Sequence, residues 1–117
     1  EELKCKGTDE CLMDEEFMEK LVRLREDFNS PMVISSGYRS PDYNAQIGGA
    51  EHSAHVYGRA VDVVVGGELA YDLVRLASLH GFTGIGVSQK GPYARRFIHI
   101  DDMPESEKHR RPTIWSY

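Results

Sequence analysis

His52-Ser53-Ala54-His55-Val56-Tyr57-Gly58-Arg59-Ala60-Val61-Asp62 passes from a polar loop bearing histidines into an apolar strand, and the fold can be read outward from that junction. Residues Ala60 to Val65 are apolar and rich in valine, with the single exception of Asp62. An ionised carboxylate inside a buried strand costs several kcal/mol unless something compensates it. Two kinds of compensation are available. An arginine can pair with it, and Arg39 or Arg59 would serve. A metal ion can also bind it, and His55 stands seven residues earlier as a second ligand. Gly58 lets the chain turn tightly between the two.

Upstream, Phe17, Leu21, Leu24 and Phe28 recur at helical spacing, with Met18 and Val22 widening the stripe. Acids come early (Glu15, Glu16, Glu19) and bases later (Lys20, Arg23, Arg25), which suits the helix dipole. Asp14 is placed to cap the N-terminus, and Asn29-Ser30-Pro31 ends the helix because the residue before proline avoids the α region. The spacing predicts an amphipathic helix over 14–29. Met32 to Ser36 reads as a short strand. Residues 37–57 form a long loop with one helical turn near 42–47, and loops of that length in compact domains usually serve function.

Downstream, Gly66-Gly67 stops the Arg59–Val65 strand. Glu68 to His80 returns to helical period with Leu69, Leu73, Leu76 and Ala77 on one face and Gly81 as its stop. Phe82 to Val87 is a strand in which Gly84 and Gly86 exclude bulky side chains. Lys90-Gly91-Pro92 reads as a turn, and Phe97 to Asp101 as the last strand. After Met103-Pro104 the chain is charged and loop-like until Ile114-Trp115-Ser116-Tyr117, whose apolar groups can dock back. This order predicts an α+β fold, a small, mainly antiparallel sheet with helices packed on it, as a single domain over residues 1–117.

Composition narrows the function. The chain has 117 residues, enough for one core. Fourteen basic residues against 19 acidic ones give a net charge of −5, so the overall field does not favour nucleic acid or anionic membranes, and the local pair Arg95-Arg96 does not reverse it. No run of about 18 apolar residues predicts a membrane span. Glu1-Glu2-Leu3-Lys4-Cys5 holds no signal-peptide stretch, so export implies either a signal-independent route or a leader outside this sequence. Cys5 and Cys11 have neither CxxC spacing nor a second pair; a small disulfide loop and two free thiols are both open. No heptad or long exposed stripe argues for more than a monomer.

Strand parity gathers the candidate ligands. Asp62 shares a face with Ala60 and Val64, and His99 shares one with Phe97 and Asp101. If the two strands are neighbours, Asp62 and His99 converge and the loop brings in His55. Two histidines and one carboxylate leave a fourth zinc position open for water, the arrangement of a hydrolytic zinc site.

These residues also carry a resemblance. Ser53-x-His55-x-x-Gly58-x-Ala60-x-Asp62, followed distantly by His99-x-Asp101, resembles the signature of the zinc D-Ala-D-Ala metallopeptidases, a group related to lysostaphin-type peptidases and the hedgehog signalling domain. Ser36-Gly37-Tyr38-Arg39-Ser40-Pro41 and Gly81-Phe82-Thr83-Gly84-Ile85-Gly86-Val87 match as well. The resemblance spans most of the chain and is closest to short bacterial and bacteriophage members. It implies a hedgehog/DD-peptidase-like fold, one Zn2+ as cofactor, and hydrolysis of peptidoglycan peptides at the cell wall, in the periplasm or outside the cell. It further implies His55, Asp62 and His99 as metal ligands. Arg39 would be a catalytic and substrate-binding residue that holds the substrate carboxylate or polarises its carbonyl, and Ser53 would contact substrate or orient its loop.

One position departs from the pattern. Many members carry Asp or Glu three residues before the last histidine as general base, and here that residue is Arg96, which cannot accept a proton. Asp101 is the leading substitute because it shares the face of His99, with a second-layer or ion-pair role as its other reading. Glu51, His52, Asp102 and Glu105 follow. The alternative function is a zinc-bearing binding domain with little or no catalysis.

Overall fold

A computed structural model describes residues 2–8 and 10–117. Its first helix, α1 (Glu15–Phe28), starts where Asp14 accepts the Phe17 N–H at 2.9 Å, and it ends at Asn29 in the left-handed region with φ 49°. Phe17, Leu21, Leu24 and Phe28 are its buried residues. Val22, expected to widen that stripe, is exposed instead. Strand β1 (Val33–Ser36) and the short helix α2 (Pro41–Gln46) follow. Ser40 caps α2 by accepting the Tyr43 N–H at 3.2 Å, and Pro41 occupies the first turn, where its missing N–H costs nothing.

The remaining elements are β2 (Ala60–Val64), α3 (Gly67–Leu79), β3 (Gly84–Ser88), a 3₁₀ turn (Tyr93–Arg95), β4 (Phe97–Asp101) and β5 (Thr113–Ser116). α3 stops where Gly81 takes φ 87°. Its buried face is Ala70, Leu73 and Ala77. Leu69, assigned to that face by spacing, is exposed, because the inward stripe is centred one position further along.

The five strands lie in the order β1-β2-β4-β3-β5. β1–β2, β2–β4 and β3–β4 pair antiparallel, while β5 joins β3 in parallel. The fold is thus the expected α+β class with a mixed sheet. The departure is β5, built from residues for which the sequence suggested only docking apolar groups. No helix among the described residues is long and apolar enough to cross a membrane.

Alternation splits the sheet into two chemically different faces. Ile34, Val61, Val63, Ile85, Ile98 and Ile100 point into the core, which α1 and α3 cover with Phe17, Leu21, Leu24, Leu73 and Ala77. Phe17 and Phe82 meet edge to face, with ring centroids 5.4 Å apart. The opposite face carries polar and titratable residues in one row, since Ser36 pairs with Asp62, Asp62 with His99, His99 with Gly86, and Gly86 with Trp115.

Gly58 joins this sheet to the N-terminal segment. It sits at φ 69°, and a β-carbon there would meet Met13 Cα at 3.0 Å and collide with the Leu12 carbonyl. Its own carbonyl accepts the Asp14 N–H at 2.9 Å. Beside it Arg59 binds Asp102, Asp14 and Glu16, which anchors the start of β2 to the start of α1.

Phe17 is fully buried under the sheet, so Phe17→Ala should lower unfolding free energy by about 3–5 kcal/mol. Denaturant titration checks this, with a lower midpoint at unchanged slope as the expected result.

Candidate metal centre

The polar face of the sheet converges on Asp62. Its Oδ1 lies 3.2 Å from His55 Nε2 and 3.1 Å from His99 Nδ1. All three groups are buried, and the three ligand atoms fall within 4.8 Å of one another. Adjacent strands β2 and β4 place Asp62 and His99 directly opposite each other. His55 arrives from the loop before β2, where its backbone N–H is accepted by Ser53 Oγ at 3.3 Å and its carbonyl accepts the Arg39 N–H at 3.1 Å.

The outer ring nitrogens decide what the inner ones can do. His55 Nδ1 is 2.8 Å from the Gly37 carbonyl, which can only accept, so Nδ1 carries the proton. His99 Nε2 is 2.7 Å from Asp101 Oδ2, which places its proton on Nε2. In the neutral imidazoles, two lone pairs then face one carboxylate oxygen across about 3 Å, a repulsive arrangement unless a cation sits among them. A tetrahedral zinc with bonds of about 2.0–2.1 Å separates its ligand atoms by about 3.3 Å, close to the two spacings seen here. His55, Asp62 and His99 therefore form a zinc-binding triad suited to one Zn2+.

The charge balance without a metal points the same way. Burial drives His55 toward its neutral form, which its bond to Asp62 only partly opposes. Burial would lower His99 too, but its bonds to Asp101 and Asp62 outweigh that and raise it. Burial alone would raise the Asp62 carboxyl; in the metal-free centre, positive charge on the facing imidazoles, protonated also on their inner nitrogens, instead holds it well below the usual carboxylate range. The site is built to keep a carboxylate ionised and to seat positive charge beside it.

A further layer orients the ligands, as metal sites require. Arg39 Nη2 lies 3.5 Å from Asp62 Oδ2, its Nε donates to Ser36 Oγ at 3.2 Å, and its Nη1 donates to Asn44 Oδ1 at 3.3 Å. Of the two arginines open to Asp62 from sequence, Arg39 makes the pair and Arg59 faces Asp102. Asp101 is completely buried. It accepts from His99, from Arg111 Nε and Nη2 at 2.8 Å each, and from the Met103 N–H at 3.3 Å. Burial would raise its carboxyl, but the bonds from His99 and Arg111 overcome that and lower it. Gly84 makes room for this carboxylate, because a β-carbon at 84 would overlap it.

The triad lies in a cleft of about 480 Å³. Arg39, Ser53, Glu51, His52 and His109 line it, together with Trp115 and Tyr117. Arg96 lies outside the cleft lining, half-buried, with its Nε donating to the Gly91 carbonyl at 3.0 Å. Among the weaker base candidates, Asp102 is held by Arg59 and Lys20, and Glu105 accepts the Arg111 N–H. Reading the sequence missed Arg111, His109 and the approach of Trp115 and Tyr117. The ring of Trp115 lies 5.1 Å from that of His99. The aromatic pair carried a weak signal as docking groups, while Arg111 lies in a charged segment with no periodicity to single it out.

Comparison with known proteins agrees with this geometry. The model of the peptidase M15 family matches residues 2–101, and the chain belongs to that family. It is also similar to a zinc D-Ala-D-Ala carboxypeptidase from Streptomyces albus G, with 39% identity over 57 residues. That match covers 49% of this chain and 22% of the relative.

The two cysteines are free thiols, Cys5 buried and Cys11 exposed.

Two outcomes test the centre. Asp62→Asn should abolish stoichiometric zinc in metal analysis of the purified protein, while added zinc should raise the melting temperature of the natural chain. Gly84→Ala should displace the Asp101 carboxylate and cost about 1–3 kcal/mol, read as a lower melting temperature with weakened zinc binding.

Proposed function

We propose that this protein is a zinc peptidase that hydrolyses peptide bonds in peptidoglycan stem peptides, of the D-Ala-D-Ala carboxypeptidase or endopeptidase type. One observation carries the reading. Two imidazoles with their protons fixed on the outer nitrogens turn their lone pairs toward the Asp62 carboxylate at the wall of an open cleft. Three protein ligands and an accessible cleft are the arrangement of a catalytic rather than a closed structural zinc site. Zinc held there supplies Lewis acidity for a scissile carbonyl and activation of water near neutral pH.

The chain's own residues supply the rest. Gly37 and Asp101 hold His55 and His99 in the ligating tautomers. Arg39 engages the second oxygen of Asp62, leaving Oδ1 for the centre, and its position on the cleft favours a substrate carboxylate or carbonyl. Ser53 orients the loop by accepting the His55 N–H and also faces the cleft. In this reading Asp101 is a positioning residue rather than the general base. It borders the cleft but has no solvent exposure, both its oxygens are occupied by donors, and Arg111 favours its ionised form. The proton acceptors on the cleft wall are Glu51, His52 and His109. The substrate class follows from the resemblance to the carboxypeptidase, whose name states D-Ala-D-Ala. Action as a monomer at the cell wall, in the periplasm or outside the cell belongs to the same proposal.

A second reading, a zinc-bearing binding domain without turnover, is favoured by Arg96 at the position where related enzymes carry an acid. Incubation with muropeptides separates the two. Release of D-alanine or stem fragments that a chelator abolishes is expected, and stoichiometric zinc without any release would reject the peptidase. Asp101→Asn tests its role within the first reading. Zinc affinity should fall about 10–100-fold while turnover recovers at saturating zinc; lost turnover with zinc fully bound would instead make Asp101 the base.

A further inference from the structure

The residues after the family match, 102–117, form the second wall of the cleft. β5 runs parallel to β3 and sets Trp115 opposite Gly86, next to His99. Gly86 is what admits this wall, since a β-carbon there would meet Trp115 Nε1 at 2.7 Å and Tyr117 Cε2 at 3.0 Å. Tyr117 is tied down by its backbone N–H, which donates to the Val87 carbonyl at 3.1 Å, and by its ring, packed 5.1 Å from that of Phe97. Its side chain lines the cleft, and the residue is 55% exposed. Tyr117 lines the same cleft as Asp62, Arg39 and Asp101.

We infer that Tyr117 is a catalytic residue whose phenolic O–H donates to the carbonyl oxygen of the scissile bond as that oxygen gains negative charge. The inference rests on the peptidase reading above. Attack of water on an amide carbonyl puts charge on its oxygen, and a donor preorganised at that oxygen lowers the barrier. Arg39 divides its nitrogens among Ser36, Asn44 and Asp62, so the N–H groups left to it can serve a substrate carboxylate while the carbonyl oxygen takes a donor from the facing wall. Trp115 and Tyr117 share this wall, and burial pushes the Tyr117 phenol above its ordinary value. The phenol therefore keeps its own proton for the substrate. No proton leaves Tyr117 in this role; the hydrogen bond strengthens as the tetrahedral centre forms and relaxes when the C–N bond breaks.

The test uses Tyr117→Phe in the full chain loaded with zinc. With a muropeptide substrate, kcat should fall on the order of 10²-fold, with KM little changed and zinc still stoichiometric. A second readout needs no turnover. Calorimetry with a phosphinate analogue of D-Ala-D-Ala, whose tetrahedral P–O⁻ imitates the charged oxygen, should show a similar loss of affinity in the variant, while the unmodified dipeptide binds as before. Unchanged kcat and unchanged phosphinate affinity would overturn the assignment, as would a rise in KM alone or loss of zinc. If the natural chain neither turns over muropeptides nor binds the phosphinate, the peptidase reading itself fails.

Discussion

Everything at the polar face depends on the antiparallel pairing of β2 with β4, which sets Asp62 directly opposite His99. That register brings a carboxylate oxygen within 3.1 Å of an imidazole nitrogen without any loop having to hold them. Because strand side chains alternate, a one-residue slip of β2 would turn Asp62 into the apolar core and leave His99 opposite a valine. The register is protected by what lies on the other face. Val61, Val63, Ile98 and Ile100 are all packed under α1 and α3, so hydrophobic burial and ligand placement are enforced by one constraint.

The third ligand is held differently. His55 lies on a loop, where conformational entropy would scatter a side chain. Here the backbone of the loop is stitched to Arg39 and Ser53, and the ring is fixed by the Gly37 carbonyl. The same economy appears at His99, where Asp101 fixes the tautomer and Arg111 fixes Asp101. Each metal-facing nitrogen thus owes its lone pair to a partner on the far side of its ring, which is how a site keeps histidines ready for a cation rather than for a proton.

Burial of Asp101 shows why a residue's type is a poor guide to its role. On a strand two residues from a ligand, a carboxylate has the right chemistry for a base. Enclosed by Arg111, His99 and a backbone N–H, it has the environment of an anchor. Gly84 and Gly86 work in the same manner on the neighbouring strand, one leaving space for a carboxylate and the other for two aromatic rings. These absences of side chain shape the cleft as much as the groups that line it.

The local elements were readable because each rests on a short-range period. The stripe of Phe17, Leu21, Leu24 and Phe28, the valines around Asp62, and the alternation of Phe97, His99 and Asp101 all announce their conformation within a dozen residues. The triad followed once a lone acid in an apolar strand demanded compensation. Small errors at Val22 and Leu69 arose because a stripe's width depends on what packs against it. What the sequence could not express was distance across the chain. The pairing of Arg111 with Asp101 and the return of Trp115 and Tyr117 beside His99 accompany β5 joining β3 in parallel, a long-range contact with no local pattern of its own. Residue types and spacing determined that this protein would build a zinc-binding triad on a sheet. Tertiary packing alone decided which groups surround it, since burial and neighbouring charge exist only once the strands have met.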